Sequence, residues 1–266
     1  MSPTLRVALC QTDIAWQDVD ANLSRLSPKL AALPSACDLV VLPEMFATGF
    51  TMEPDALPAD TGRRVEAWLR ATASELGAAV CGSTPYRLPS DRWVNRFICA
   101  WPSGKTEHYD KRHRFAMAGE REAYAPGSAS PVIVTVAGWR LLLQVCYDLR
   151  FPVFSRNRDI RAGAYDAVVY VANWPAPRRT HWQVLAKARA IENQAYCVAV
   201  NRVGQDPNGN RYLGDSAAYG PQGELVVGCA VGEPDVALVS LRADRLEDTR
   251  STLPFLRDAD RFVLHD

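Results

Sequence analysis

Short apolar runs, too brief for helices and too rich in Val, Leu and Ala for loops, recur along this chain of 266 residues and leave few folds open to it. They lie at Leu5 to Gln11, Asp38 to Pro43, Ala78 to Ser83, Arg96 to Trp101, Val132 to Val136, Leu141 to Cys146, Ala167 to Ala172 and Cys197 to Arg202. Helix-length segments separate several of them: Ala21 to Ala32, Gly62 to Leu76, Val153 to Arg161 and Arg179 to Gln194. In the second of these, Val65, Trp68, Leu69, Thr72 and Leu76 recur at helical spacing while Glu66, Arg70 and Glu75 fall elsewhere, so one face goes to a core. Strands alternating with helices predict an α/β fold. Gly104 to Tyr109, directly after Arg96 to Trp101, reads as the return of a hairpin, so the sheet is mixed rather than wholly parallel. No internal repeat, linker or low-complexity tract divides the chain, and one domain over residues 1–266 is expected.

Three of these segments end in residues able to do chemistry. Asp38 to Pro43 runs into Glu44, Thr106 to Asp110 delivers Lys111, and Leu141 to Val145 delivers Cys146, followed by a polar turn. The C-terminal ends of strands are where α/β folds place nucleophiles and ligands. Each residue alone has a plain structural reading, since a buried cysteine usually behaves as a small hydrophobe and a lysine in Asp-Lys-Arg-His is ordinarily solvated.

Taken together and in order, Leu-Pro-Glu-Met-Phe around Glu44, Tyr-Asp-Lys-Arg-His around Lys111 and Cys-Tyr-Asp-Leu-Arg-Phe-Pro from Cys146 resemble the Glu-Lys-Cys signature of the nitrilase superfamily of carbon-nitrogen hydrolases. The resemblance begins at Arg6-Val7-Ala8-Leu9-Cys10-Gln11. It continues through Ala172-Asn173-Trp174-Pro175 and Arg189-Ala190-Ile191-Glu192-Asn193 to Gly214-Asp215-Ser216. The Asn-Trp-Pro run and Arg-Phe-Pro-Val are most similar to the ω-amidase branch, related to the Nit proteins. The resemblance implies a four-layer α-β-β-α sandwich of two mixed sheets packed face to face. It also implies a homodimer or higher homo-oligomer formed through the helices after the nucleophile strand and after the Asn-Trp-Pro strand, here Val153 to Arg161 and Arg179 to Gln194.

Amide hydrolysis calls for a strong nucleophile, a donor to the tetrahedral oxyanion and an acid for the departing ammonia. Cys146 supplies the first in this reading. A free thiol is only slightly ionised at neutral pH, so either a base takes its proton or a cation lowers its pKa. Glu44 is the expected base and Lys111 the expected cation. Lys111 also holds the oxyanion together with the backbone N–H of Tyr147. The resemblance further implies a second carboxylate seven residues before a Pro-Gly turn, which is Glu120 ahead of Pro126-Gly127, with nearby Glu122 left outside the site. Trp174 stands either at the site or in a core or subunit interface, and Arg178 and Arg179 either meet a substrate carboxylate or are solvated charges. Replacing Glu44 or Lys111 is expected to spare stability, as for catalytic charges that are not packing residues.

The bulk numbers exclude other classes. Thirty basic residues balance thirty acidic ones without a basic stripe, so nucleic acid is not expected as a partner. No leader-like segment opens the chain and no apolar stretch reaches the ~18–20 residues that span a bilayer, so no membrane contact and a cytoplasmic location are expected. Seven cysteines without a Cys-x-x-Cys pair argue against a disulfide framework or a structural zinc. No cofactor or metal is implied. A Cys-His hydrolase would need His113 or His181 at Cys146, and neither sits in a setting that suggests it. The polar, Pro-rich segment Gly49 to Asp60 is read as a mobile lip over the site. The expected activity is an ω-amidase acting on 2-oxoglutaramate or 2-oxosuccinamate. A nitrilase or N-carbamoyl amidohydrolase shares the same triad, and a non-catalytic interaction protein on the same fold is the reading from another class.

Overall fold

The computed structural model describes residues 1–33, 37–128, 130–157, 165–260 and 262–264. In chain order the elements are β1 (Thr4–Gln11), α1 (Val19–Ala31), β2 (Leu39–Val41), α2 (Thr61–Leu76), β3 (Ala79–Arg87), β4 (Trp93–Ala100) and β5 (Thr106–Asp110). The short α3 (Glu120–Ala123) is followed by β6 (Ile133–Val136), β7 (Trp139–Val145), β8 (Ala167–Ala172), α4 (Arg179–Asn193) and β9 (Tyr196–Asn201). The chain closes with β10 (Val203–Gln205), β11 (Arg211–Leu213), β12 (Ala217–Tyr219), β13 (Leu225–Gly228), β14 (Asp235–Arg242) and α5 (Ala243–Thr252). One six-stranded sheet has the order β14-β1-β2-β3-β4-β5 and the other β13-β12-β9-β8-β7-β6, while β10 and β11 form a separate ribbon.

Both sheets are mixed. β1, β2 and β3 run parallel, as do β7, β8 and β9, and antiparallel strands flank each parallel trio. Alternation along the strands sets the layers, because successive side chains point to opposite faces. Leu5, Val7 and Leu9 of β1 join Leu39 and Val41 of β2 in a core shared with β7, β8 and β9 of the other sheet. The intervening Ala8 and Cys10, with Val40 and Val80, pack instead on Leu26 and Leu30 of α1 and Val65 and Leu69 of α2. Trp182, Ala186 and Ala190 of α4 cover the outer face of the second sheet. The result is the four-layer α-β-β-α sandwich, with the sheets face to face.

Every expected strand is present, with ends displaced by up to a few residues, and so are three of the four expected helices. The fourth fails where it can be followed. Val153–Asn157 forms turns and an irregular segment, and the remainder of the expected helix, residues 158–161, lies outside the described residues. The 3₁₀ turn ends at Arg150, and the segment after it is held by α4 rather than by helical bonds of its own: Asn157 N donates to Asn193 Oδ1 at 2.7 Å and Asn157 Nδ2 to the Asn193 carbonyl at 3.0 Å. The expected lip, Gly49 to Asp60, is anchored at several points. The Thr51 carbonyl accepts from Tyr124 Oη at 2.9 Å, Asp55 Oδ1 accepts from Trp93 Nε1 at 2.8 Å, and Pro54 and Leu57 are buried.

The same parallel trios place chemistry at one end of the sandwich, since β2 ends before Glu44, β7 before Cys146 and β8 before Asn173. Lys111 follows β5, and its carbonyl accepts from Gly127 N at 3.0 Å. A Cβ on Gly127 would fall inside the Asp110 carbonyl group, so only glycine lets the return chain lie this close to the lysine. Gly127→Ala is therefore expected to destabilise the protein by about 1–3 kcal/mol, seen as a lower midpoint in thermal melting. It should also lower turnover per folded molecule as Lys111 is displaced.

Candidate active site

Lys111 is fully buried, and its ammonium is shared between two carboxylates. Nζ donates to Glu44 Oε1 at 2.9 Å and to Glu120 Oε1 and Oε2 at 2.9 Å each, with all three side chains excluded from solvent. The Phe50 ring closes one side, 5.3 Å from Nζ. Burial opposes the charge on Lys111, but Glu120 and Glu44 outweigh it and hold the ammonium protonated well beyond the usual lysine range. One cation cannot neutralise two carboxylates fully. Burial, reinforced by the Glu44 charge, accordingly raises the Glu120 carboxyl above the usual range against the pull of Lys111.

Glu44 is fixed by donors on both oxygens. Oε1 accepts from Lys111 and from Asn95 Nδ2 at 2.8 Å, and Oε2 accepts from the backbone N–H of Asn173 at 2.8 Å. A carboxylate offers about four lone-pair sites, so one remains on Oε2. Asn95 Nδ2 also reaches Glu120 Oε1 at 3.3 Å, and its own Oδ1 accepts from Ser83 Oγ, which in turn accepts from Met45 N. Glu120 opens α3 behind Gly119 and takes Phe115 N–H at 2.6 Å. Glu122, two residues on, is exposed.

Cys146 is the first residue of a 3₁₀ turn (Cys146–Arg150) rather than the last of β7, and its φ is +45°. A cysteine held in the left-handed region costs about 1–3 kcal/mol and persists only where its surroundings enforce it. Asp148 does the enforcing. It is fully buried and accepts from Val145 N at 2.9 Å, Tyr109 Oη at 2.8 Å, His113 N at 3.2 Å and His113 Nδ1 at 2.7 Å. Burial pushes the Cys146 thiol well up, the Glu44 charge and its hydrogen bond push the same way, and Lys111 opposes them. The resting sulfur is therefore a thiol beside a carboxylate, which favours proton transfer to a base over a preformed thiolate. Tyr147 follows in the first turn, where backbone N–H groups have no acceptor within the helix. Its ring lies 5.0 Å from Phe115 and 5.1 Å from Phe151.

The structure thus brings Glu44, Lys111, Glu120, Cys146 and Tyr147 together. Trp174 is buried beside them, its Nε1 donating to the Arg178 carbonyl at 2.8 Å and the Arg150 guanidinium 4.7 Å from its ring. Arg179 does not face a substrate, because it is taken by a two-pronged ion pair with Asp215 at 2.7 and 2.8 Å, while Arg178 lies over the Phe115 ring. His113 is held by Asp148 and stacked on Phe151 at 3.9 Å, and His181 meets Arg150, so neither pairs with Cys146. Among the described residues no group of His, Cys, Asp and Glu could hold a metal ion. Sequence reasoning missed Asn95, Ser83, Asp148 and Arg150. The one signal for Asn95 is a polar residue in an otherwise apolar strand, and Arg150 required knowing that the turn after Cys146 is 3₁₀.

A thiol on a strained turn, two carboxylates and a buried lysine at one end of a four-layer sandwich define a class of thiol hydrolases, and the chain belongs to the carbon-nitrogen hydrolase family, whose model matches residues 6–251. It is 44% identical over 262 residues to the Omega-amidase YafV of Escherichia coli K12, covering 98% of this chain and 99% of that one. It is 29% identical over 256 residues, 95% of this chain and 96% of the other, to the 2-oxoglutaramate amidase of Bacillus subtilis. The crystal structure of XC1258 from Xanthomonas campestris, a CN-hydrolase superfamily protein with an arsenic adduct in its active site, superposes with a TM-score of 0.94. The two chains are 40% identical, with 98% of this one and 99% of that one covered.

The burial of Lys111 changes one expectation. Lys111→Met leaves two carboxylates buried without their cation and should destabilise by about 3–5 kcal/mol, whereas Cys146→Ala, which relieves none of the charge pairing, should melt within a few degrees of the parent. Equal melting of the two variants in a thermal scan would contradict the buried ion cluster.

Proposed function

We propose that this chain is an ω-amidase that hydrolyses 2-oxoglutaramate or 2-oxosuccinamate through a thioester on Cys146. The buried Glu44–Lys111–Glu120 cluster beside that thiol supports the chemistry. The substrate class rests on the full-length likeness to the Escherichia coli ω-amidase. Glu44 takes the thiol proton on Oε2 as sulfur attacks the amide carbon, and the oxyanion is met by the Tyr147 N–H and by Lys111 Nζ, which meets both Glu120 oxygens with one shared N–H and keeps its third for the substrate. As the C–N bond breaks, Glu44 returns the proton to nitrogen and ammonia leaves. Water then attacks the thioester with Glu44 again as base, the C–S bond breaks, and the proton returns to sulfur. Glu120 holds Lys111 and positions the water.

Two guanidinium groups flank the aromatic wall, Arg150 over Trp174 and Arg178 over Phe115, and neither is paired with a carboxylate among the described residues. Arg150, four residues past the nucleophile, is the proposed partner of the substrate's distal carboxylate. One domain over residues 1–266 carries the whole activity in this reading. Val184 and Ile191 leave an apolar stripe exposed on α4, with exposed Val153 from the following-turn segment, and this supports a homodimer built on α4. All seven cysteines are free, as suits a reducing compartment, and the cytoplasm is the proposed location. No helix among the described residues is long and apolar enough to cross a membrane.

An ammonia-release panel over 2-oxoglutaramate, glutamine, N-carbamoyl amino acids and aliphatic nitriles tests the assignment. 2-Oxoglutaramate should have the highest kcat/KM, and preference for a nitrile or a carbamoyl compound would overturn the ω-amidase reading. Cys146→Ala should abolish turnover, and Glu44→Gln should lower kcat by orders of magnitude. Arg150→Met should raise KM for 2-oxoglutaramate about tenfold with little change in kcat, the mark of a binding contact made equally in ground and transition states.

A further inference from the structure

Among the described residues the side-chain carbonyl oxygens of Asn173, Gln144 and Gln194 are buried without a hydrogen-bond partner. Nε2 of Gln144 and of Gln194 donates to the Leu143 and Leu253 carbonyls, whereas Asn173 donates to Glu44. The Asn173 side chain is more than nine-tenths buried, and Oδ1 has no hydrogen-bond partner among the described residues. Five other asparagines are buried as deeply: Asn22, Asn95, Asn157, Asn193 and Asn201. In each of them Oδ1 accepts a bond, from Ala15 N, Ser83 Oγ, Tyr165 N, Asn157 N and Trp174 N respectively. The exception is the asparagine that touches the base. Its backbone N–H donates to Glu44 Oε2, and its Nδ2 donates to the Glu44 carbonyl at 2.6 Å. That second bond fixes the orientation of the carboxamide, because a carbonyl can only accept; Nδ2 must face it, and Oδ1 is turned away from it. An acceptor left unmade inside a protein carries a penalty and needs its own explanation, and one kept on the residue that holds Glu44 points to a donor arriving with the ligand.

A primary amide brings such a donor. Lys111 Nζ and the Tyr147 N–H are donors suited to the carbonyl oxygen, and the one open position on Glu44 Oε2 serves the proton in transit, so the substrate's two N–H groups need an acceptor elsewhere. We propose that Asn173 Oδ1 accepts an N–H of the scissile amide and of the tetrahedral intermediate. This rests on the amidase reading above and adds the group that selects amides. With one N–H bound to Asn173, the nitrogen lone pair turns toward the neighbouring Glu44, which protonates it as the C–N bond breaks. No proton passes to Asn173. An ester lacks the N–H, and a nitrile presents a lone pair where Oδ1 already stands.

The test compares 2-oxoglutaramate with the ω-methyl ester of 2-oxoglutarate, which forms the same acyl-enzyme, in the parent, Asn173→Ala and Asn173→Ser. Displacement of Glu44 weakens the acid that expels ammonia and so lowers the amide-to-ester ratio by itself; Glu44→Asp, which shifts the carboxylate and keeps Asn173, gives the size of that effect. Loss of the N–H acceptor should lower the amide-to-ester ratio of kcat/KM a further fivefold or more below the Glu44→Asp value in each Asn173 variant that folds. The serine variant keeps the comparison available if the alanine variant is unstable. A ratio within fivefold of the Glu44→Asp value would overturn the role of Asn173. Failure of the parent to act on 2-oxoglutaramate would instead count against the substrate assignment, and the ratio would then be read on any primary amide and matching ester that the parent accepts.

Discussion

The ammonium of Lys111, buried between Glu44 and Glu120, is the interaction on which the rest of the site depends. Taking three ionised groups out of water is costly unless each is paired and hydrogen-bonded, and the structure meets that condition with donors from four separate segments. Because the carboxylates come from the loop after β2 and the start of α3, and the lysine from the end of β5, the cluster fixes three otherwise independent loops relative to one another. The same cluster stands beside Cys146, where burial first and then the Glu44 charge push the thiol up, against the pull of Lys111.

A second set of contacts holds Cys146 in a conformation it would not choose. Asp148 gathers donors from β5, from the loop after it and from the end of β7, and so ties the left-handed Cys146 to the segment that carries Lys111. Met45, directly after Glu44, is likewise at positive φ, +44°, with its N–H on Ser83. Strain at Cys146 and at Met45 is offset by hydrogen bonds to fully buried polar groups, which is how a rigid fold holds a strained geometry.

Much of this was legible in the residues. Apolar runs located the strands because their two faces are both buried, and the three reactive residues stood out because each follows such a run. Glu120 was distinguishable from Glu122 only through its offset from the Pro-Gly turn, and the reason is now physical: Gly127 lies against Asp110, which fixes the loop between them. The expected helix from Val153 failed because helix-like composition cannot reveal that Asn157 is tied to Asn193, thirty-six residues away. The strands after Leu213, among them β14 paired along β1, are short or half-exposed and give weak periodicity. Asp148, Ser83 and Asn95 act by long-range contacts between strands, which spacing along one segment does not encode. Arg179, a plausible substrate contact by position, belongs instead to Asp215, thirty-six residues away in sequence.

Acyl transfer from the amide to Cys146 is the step on which the proposed mechanism stands. Rapid acid quench of the enzyme during turnover of 2-oxoglutaramate, followed by intact-protein and peptide mass spectrometry, tests it directly. A 2-oxoglutaryl adduct, formed with loss of ammonia, is expected on the peptide containing Cys146. Turnover with no acyl adduct, or with the adduct on another residue, would contradict it.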